Sequence, residues 1–281
     1  MRLHSWLVLT VLGLAPFAAQ AATQPPAPVL VTSAGNEDSM LLGVWDGKRW
    51  ISPPAAAPLV WGNTVYRVQG LSGSSVNAVG GSPVSFDAPC PDAFSVTLTP
   101  NRVPNATQLA TRADLNARPR PVTALPIQHS LYAGAVQAEL VRRGLKNPVV
   151  QIRSVTRADL DGNGSDEIII EATHFAENTA GDPLPPVNAQ AGDYSVLLLR
   201  FVVNGQVKTA VLGADVVLKS GTIDAPRNGL RERLEGIADL NGDGRMELVT
   251  SESYYEGDTL DALTWTPAQG PKRVLETGCG A

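Results

Sequence analysis

Asp159-Leu160-Asp161-Gly162-Asn163-Gly164-Ser165-Asp166-Glu167 stands between a strand-like run at residues 152–158 and Ile168-Ile169-Ile170. The same pattern returns as Asp239-Leu240-Asn241-Gly242-Asp243-Gly244-Arg245-Met246-Glu247, again with extended-type sequence on both sides. Both stretches carry oxygen side chains at loop positions 1, 3, 5 and 9 and glycine at position 6. In a tightly coiled loop, alternate side chains converge on one point, and glycine tolerates the sharp turn between them. A hard cation with six to eight oxygen ligands suits such a cage, which points to calcium. The expected ligands are the side chains of Asp159, Asp161, Asn163 and Glu167 and of Asp239, Asn241, Asp243 and Glu247. The backbone carbonyls of Ser165 and Arg245 complete the set, which leaves those two side chains free to vary.

The loops are not EF-hands. Position 12 is Ile170 in one and Thr250 in the other, neither of them the bidentate glutamate that motif needs, and strands rather than helices flank them. Magnesium prefers water-rich octahedral sites. No cysteine–histidine spacing suggests zinc.

Outward from the loops the sequence repeats a unit of strand, acidic loop, strand, strand, strand. The first copy continues through residues 194–203, an Asn204-Gly205 turn and residues 206–212. The second runs through residues 248–255, 260–266 and 272–275. The predicted fold class is mostly β, built as propeller-like four-stranded units or as two packed β subdomains, with one α-helix between the halves. That helix is predicted from Ser130, which can cap it, to Arg143, with Tyr132, Val136 and Leu140 on one face and Gly144 closing it. Earlier in the chain, Asp46-Gly47 between two apolar-aromatic runs predicts a hairpin, which looks like the last half of a further unit. Residues 101–126, polar and broken by Pro104, Pro119, Pro121 and Pro126, read as a linker or long surface loop.

At residues 158–170 and 238–250 the sequence resembles the calcium loops of FG-GAP and VCBS-type repeats, as in integrin α-chain propellers and many exported bacterial proteins. The resemblance covers the loops and their flanking strands, a minority of the chain. It implies a β-propeller or related β fold with structural calcium, and binding or scaffolding more often than catalysis.

The N-terminus carries a basic start (Arg2), an apolar run at residues 6–14 too short to span a bilayer, and Ala19-Gln20-Ala21 as a small-x-small cleavage signature. The expected organisation is a signal peptide at 1–21, an N-terminal β region at 22–126 and a helix plus C-terminal β region at 127–281. This places the protein in the periplasm or outside the cell. Cys90 and Cys279 are then read as one disulfide, the alternative being two unpaired thiols. A formal net charge of -5 excludes a nucleic-acid partner in the basic-patch sense.

The remaining chemistry-bearing residues are weak candidates. His129 and His174 lack an activating motif. Asp258 and Asp261 could act as paired carboxylates but read as a solvated loop. Trp45, Trp50, Trp61 and Trp265 could form a sugar-stacking platform but read as core or cross-strand aromatics. The expected function is a calcium-stabilised binding or scaffold module for a protein or glycan partner. The alternative is an extracytoplasmic hydrolase with structural calcium.

Overall fold

The computed structural model describes residues 25–73, 75–177 and 183–280; the signal segment read at 1–21 lies outside them. The chain is mostly β with one α-helix, and its antiparallel sheets curl into a half-barrel.

Strands β1 (Ala27–Thr32), β2 (Ser39–Trp45), β3 (Trp50–Ile51), β4 (Thr64–Gly70), β5 (Val76–Gly80), β6 (Val84–Ser85), β7 (Phe94–Val96), β8 (Leu98–Thr99) and β9 (Gln108–Arg112) form a nine-stranded sheet. Its order is β6-β7-β2-β1-β9-β4-β5-β8, with β3 on β2. Strand β1 is buried along its whole length. Leu30 enters one apolar cluster and Val29 and Val31 another, so this continuous apolar run is buried on both faces. The Asp46-Gly47 hairpin forms as expected: Asp46 Oδ1 accepts from the amides of Lys48 and Arg49, each at 2.8 Å, and Trp45 pairs with Trp50. It does not belong to a repeat unit, because its sheet is no meander.

Residues 101–126 are not a linker. Within them β9 lies between β1 and β4, with Leu109 and Ala110 almost wholly buried in different clusters. Tertiary packing overrides the local signal here, since five residues between proline-rich turns are too short to show alternation.

Next come β10 (Val122–Ala124), α1 (Ser130–Arg142), β11 (Ile152–Ala158), β12 (Glu167–His174), β13 (Tyr194–Val203) and β14 (Gln206–Val216), whose strands make a five-stranded sheet in chain order. The β13–β14 turn has Asn204 and Gly205 at φ 52° and 74°, as a tight hairpin requires. His129, rather than Ser130, caps the helix, its Nδ1 accepting from Leu131 N at 3.3 Å. At the other end Gly144 (φ 106°) and Leu145 donate back to Val141 and Leu140, closing a Schellman turn. Val136 and Leu140 bury the helix on Ile170, Ala172, Val196 and Leu198. Strands β15 (Arg231–Ala238), β16 (Glu247–Tyr254), β17 (Gly257–Thr266) and β18 (Gly270–Gly280) form the last sheet, again in chain order. The two strand–loop–strand–strand–strand units are therefore real antiparallel meanders, β11–β14 and β15–β18.

Two clusters tie the sheets together. Leu160, Ile169, Leu197 and Leu199 meet Leu234, Ile237, Met246 and Leu248 between the meanders, with Phe201 edge-on to Trp265 at 5.1 Å. Val29, Val31, Leu42 and Leu109 of the large sheet meet Leu240, Val249, Leu260 and Leu275 of the last one. One cluster therefore runs across the boundary expected at 126, while each side also keeps a cluster of its own. The Cys90–Cys279 disulfide spans 189 residues with its Cα atoms 5.5 Å apart, joining the same two sheets. Such a bond belongs to an oxidising, extracytoplasmic environment. No helix among the described residues is long and apolar enough to cross a membrane.

These sheets meet closely at Gly236, where an added Cβ would lie 2.2 Å from Leu109 Cδ1. Gly236→Ala is expected to cost about 1–3 kcal/mol by overpacking, read as a lowered urea midpoint at unchanged m-value. Replacing both cysteines by serine is expected to destabilise by up to roughly 5 kcal/mol, given the length of loop the bond closes.

Candidate cation loops

Each loop is built on its first aspartate. Asp159 Oδ1 accepts from Gly162 N (2.8 Å) and Asn163 N (3.1 Å), and its Oδ2 from Gly164 N (3.1 Å). Asp239 repeats the set with Gly242 N (2.7 Å), Asp243 N (3.2 Å) and Gly244 N (2.8 Å). Position 3 then accepts from position 5: Asn163 N to Asp161 Oδ1 at 3.1 Å and Asp243 N to Asn241 Oδ1 at 2.9 Å. Position 5 accepts from position 7: Ser165 N to Asn163 Oδ1 at 2.7 Å and Arg245 N to Asp243 Oδ1 at 2.8 Å. Position 9 closes the loop from the first residue of the next strand, with Leu160 N to Glu167 Oε2 and Leu240 N to Glu247 Oε2, both 2.8 Å. The glycines at positions 4 and 6 have φ 78° and 84° in the first loop and 78° and 86° in the second, a region that L side chains enter only with strain.

In the first loop one oxygen each of Asp159, Asp161 and Glu167 lie within 4.8 Å of one another. The second loop has neutral Asn241 at position 3 and places its other carboxylate at Asp243 instead. A carboxylate that accepts one or two amides keeps lone pairs for a cation. The closing glutamates are buried, with Glu167 at 1 % and Glu247 at 2 % exposure. Burial, opposed by the Leu160 amide and reinforced by Asp161, Asp159 and Asp166, pushes Glu167 up to about 7. Burial, opposed by the Leu240 amide and reinforced by Asp243 and Asp239, pushes Glu247 up to about 8. Asp239 is also raised, chiefly by burial. Buried glutamates crowded by further carboxylates are a donor set that a hard divalent cation relieves, so the residues present fit calcium.

The loops touch each other and the chain that precedes the first meander. Met246 N donates to Leu160 O at 2.8 Å, and Asp239 N donates to Ala117 O at 2.8 Å. Arg120 donates from Nε to Asp159 O and from Nη2 to Leu160 O (2.9 Å), and its Nε lies 3.8 Å from Asp159 Oδ2. Sequence reasoning missed Arg120 and Ala117 because both fall in the stretch read as linker; an arginine between two prolines was the one available signal.

The other candidates are dispersed. His129 caps the helix, and His174 sits at the end of β12, its ring centroid 6.0 Å from that of Tyr194. Asp258 and Asp261 lie in β17 rather than in a solvated loop, and three residues apart along a strand they point to opposite faces. Trp265 is buried in the core, Trp45 and Trp50 pair with ring centroids 5.0 Å apart, and Trp61 is exposed, so the four make no common platform. No family model, no curated protein and no solved structure matches this chain.

Because folding raises Glu167 and Glu247 above their ordinary value near 4.5, the stability tied to their protonated forms is present below about pH 4.5. It is lost as pH rises through about 7 and 8. Glu232, raised to about 8 by burial and then by Glu252, and Asp261, raised to about 6 by burial, act in the same direction away from the loops. The chelator-treated protein is therefore expected to melt lower at pH 8 than at pH 5.5. Calcium is expected to remove only the part of that slope owed to the loops, as read by calorimetric melting across pH.

Proposed function

We propose that this chain is an exported calcium-binding protein of the FG-GAP/VCBS kind, acting as a binding or scaffold module in the periplasm or outside the cell. The observation that carries this reading is the set of six amide-to-side-chain hydrogen bonds that the two loops share at equivalent places in two meanders. Turns selected only to reverse the chain need no buried glutamate. These loops each keep one, together with an aspartate that gathers three amides. Calcium at both loops stiffens the strand junctions and leaves the opposite ends of the meanders to present a partner surface.

That opposite end supports a protein partner. The segments 184–193 and 217–230 brace each other through Ala189 N to Arg227 O (2.7 Å) and Gly229 N to Pro186 O (2.9 Å). On them Leu184, Val187, Leu218 and Ile223 are exposed, Ile223 at 95 %. Apolar side chains held out on a braced frame fit a partner surface better than a glycan site. The hydrolase reading has one observation in its favour: a polar cleft of about 150 Å³ lined by Arg233, Glu235, Ser251 and Asp258. A screen on esters, glycosides and peptides decides between the two, with turnover abolished by Glu235→Gln as the outcome that selects the hydrolase.

Thermal unfolding with calcium and with chelator tests the calcium reading. Saturating calcium is expected to add roughly 3 kcal/mol per site at a hundredfold excess over Kd. Asp159→Ala combined with Asp239→Ala is expected to abolish the response. An unchanged midpoint together with no binding heat would sink the proposal.

A further inference from the structure

The two loops are alike inside and unlike outside. The first is gripped by a cation: the Arg120–Asp159 pair at 3.8 Å has side chains only 21 % and 15 % exposed, so water and salt screen it poorly. A Cβ on Gly162 would stand 3.1 Å from Arg120 Nη1, so the guanidinium lies directly against the loop backbone. A second arginine, Arg157, holds Asp166 at 3.4 Å in a more exposed pair. Among the described residues no ion pair reaches Asp239, Asp243 or Glu247. The second loop is anchored by a neutral group, the Ala117 carbonyl, and its own Arg245 side chain is exposed.

We propose that Arg120 ranks the two loops. Its fixed positive charge at Asp159 makes the first loop the weaker calcium site, filled after the second, and therefore the one whose occupancy follows calcium around the protein. This rests on the calcium reading of the loops. Each loop offers three carboxylates at its ligand positions, and a guanidinium beside one of them cancels part of the attraction that a divalent ion feels. Arg120 also steadies two backbone carbonyls, which on its own would favour binding. The second loop decides between the effects: it makes the same six amide bonds with no guanidinium paired to its aspartate, the neighbouring Arg118 donating instead to the Gly70 and Ile237 carbonyls, so the loop conformation does not need such a pair. The charge term is what remains. Through Met246 N on Leu160 O, filling of the weaker loop is felt at the stronger one.

Calorimetric calcium titration of the full chain tests this, at about pH 9.5, above the values near 7 and 8 to which Glu167 and Glu247 are raised, so that protons compete little at either loop. Asp243→Ala leaves the first loop to report, and Asp161→Ala leaves the second. The second loop is expected to bind about tenfold tighter. Arg120→Gln in the Asp243→Ala background is expected to tighten the first loop several-fold. Arg120→Lys keeps the charge and is expected to leave the site weak. Arg120→Met provides a second uncharged variant in case the glutamine protein folds poorly. A purely bracing Arg120 gives the opposite sign, so weaker or unchanged binding in both uncharged variants overturns the proposal, as do equal affinities of the two loops. No heat from either single-loop protein overturns the calcium reading itself, and this ranking with it.

Discussion

Everything at the loop end of this molecule depends on one carboxylate doing the work of a turn. Asp159 and Asp239 each collect three consecutive-register amides that would otherwise face solvent or go unpaired, and so wind the chain into a coil with its side-chain oxygens inward. Carboxylate–amide bonds are charge-assisted and stronger than neutral ones. The cost falls on the closing glutamates, which are drawn out of water at the mouth of β12 and β16 with other carboxylates nearby. A proton offsets that cost, and under the proposed reading a calcium ion would do the same. The fold and the chemistry of the site are therefore one problem, because the same oxygens that shape the loop set its appetite for charge.

The leucine that follows each aspartate links loop to core. Leu160 and Leu240 are both buried, each in a different cluster between sheets, so the acidic coils are fastened to the interior rather than hung from the surface. Their amides go to the glutamates, and the Leu160 carbonyl goes to Met246. The leucine at loop position 2 thus ties the closing glutamate and the coil to the core.

How much was legible follows from where the signal is stored. The loops and the meanders were readable because their determinants are local: glycine where φ is positive, Asn204-Gly205 at a tight turn, a largely apolar run along β13. Strand β9 was not, since Gln108 to Arg112 become a central strand only through β1 and β4, which flank it in space and not in sequence. The cap was misplaced by one residue because a histidine Nδ1 can accept an amide as a serine hydroxyl does, and composition favours serine. Asp258 and Asp261 looked like loop residues because carboxylates are rare in strands. Here β17 runs past the end of its apolar stretch to meet β18 and the disulfide. Arg120 stayed hidden for the same reason as β9: its role is defined by a partner 39 residues away.

The last sheet is fastened to the first at both of its ends. At one end, Asp239 N holds the Ala117 carbonyl; at the other, Cys279, opposite Asp258 at the start of β17, is bonded to Cys90. A sheet pinned at one end can swing like a door, whereas one pinned at both can only rock or twist as a plate. The β15–β18 meander is therefore a strut. A displacement imposed at its loop end reaches the disulfide end as torsion of the whole sheet, with little lost to bending between.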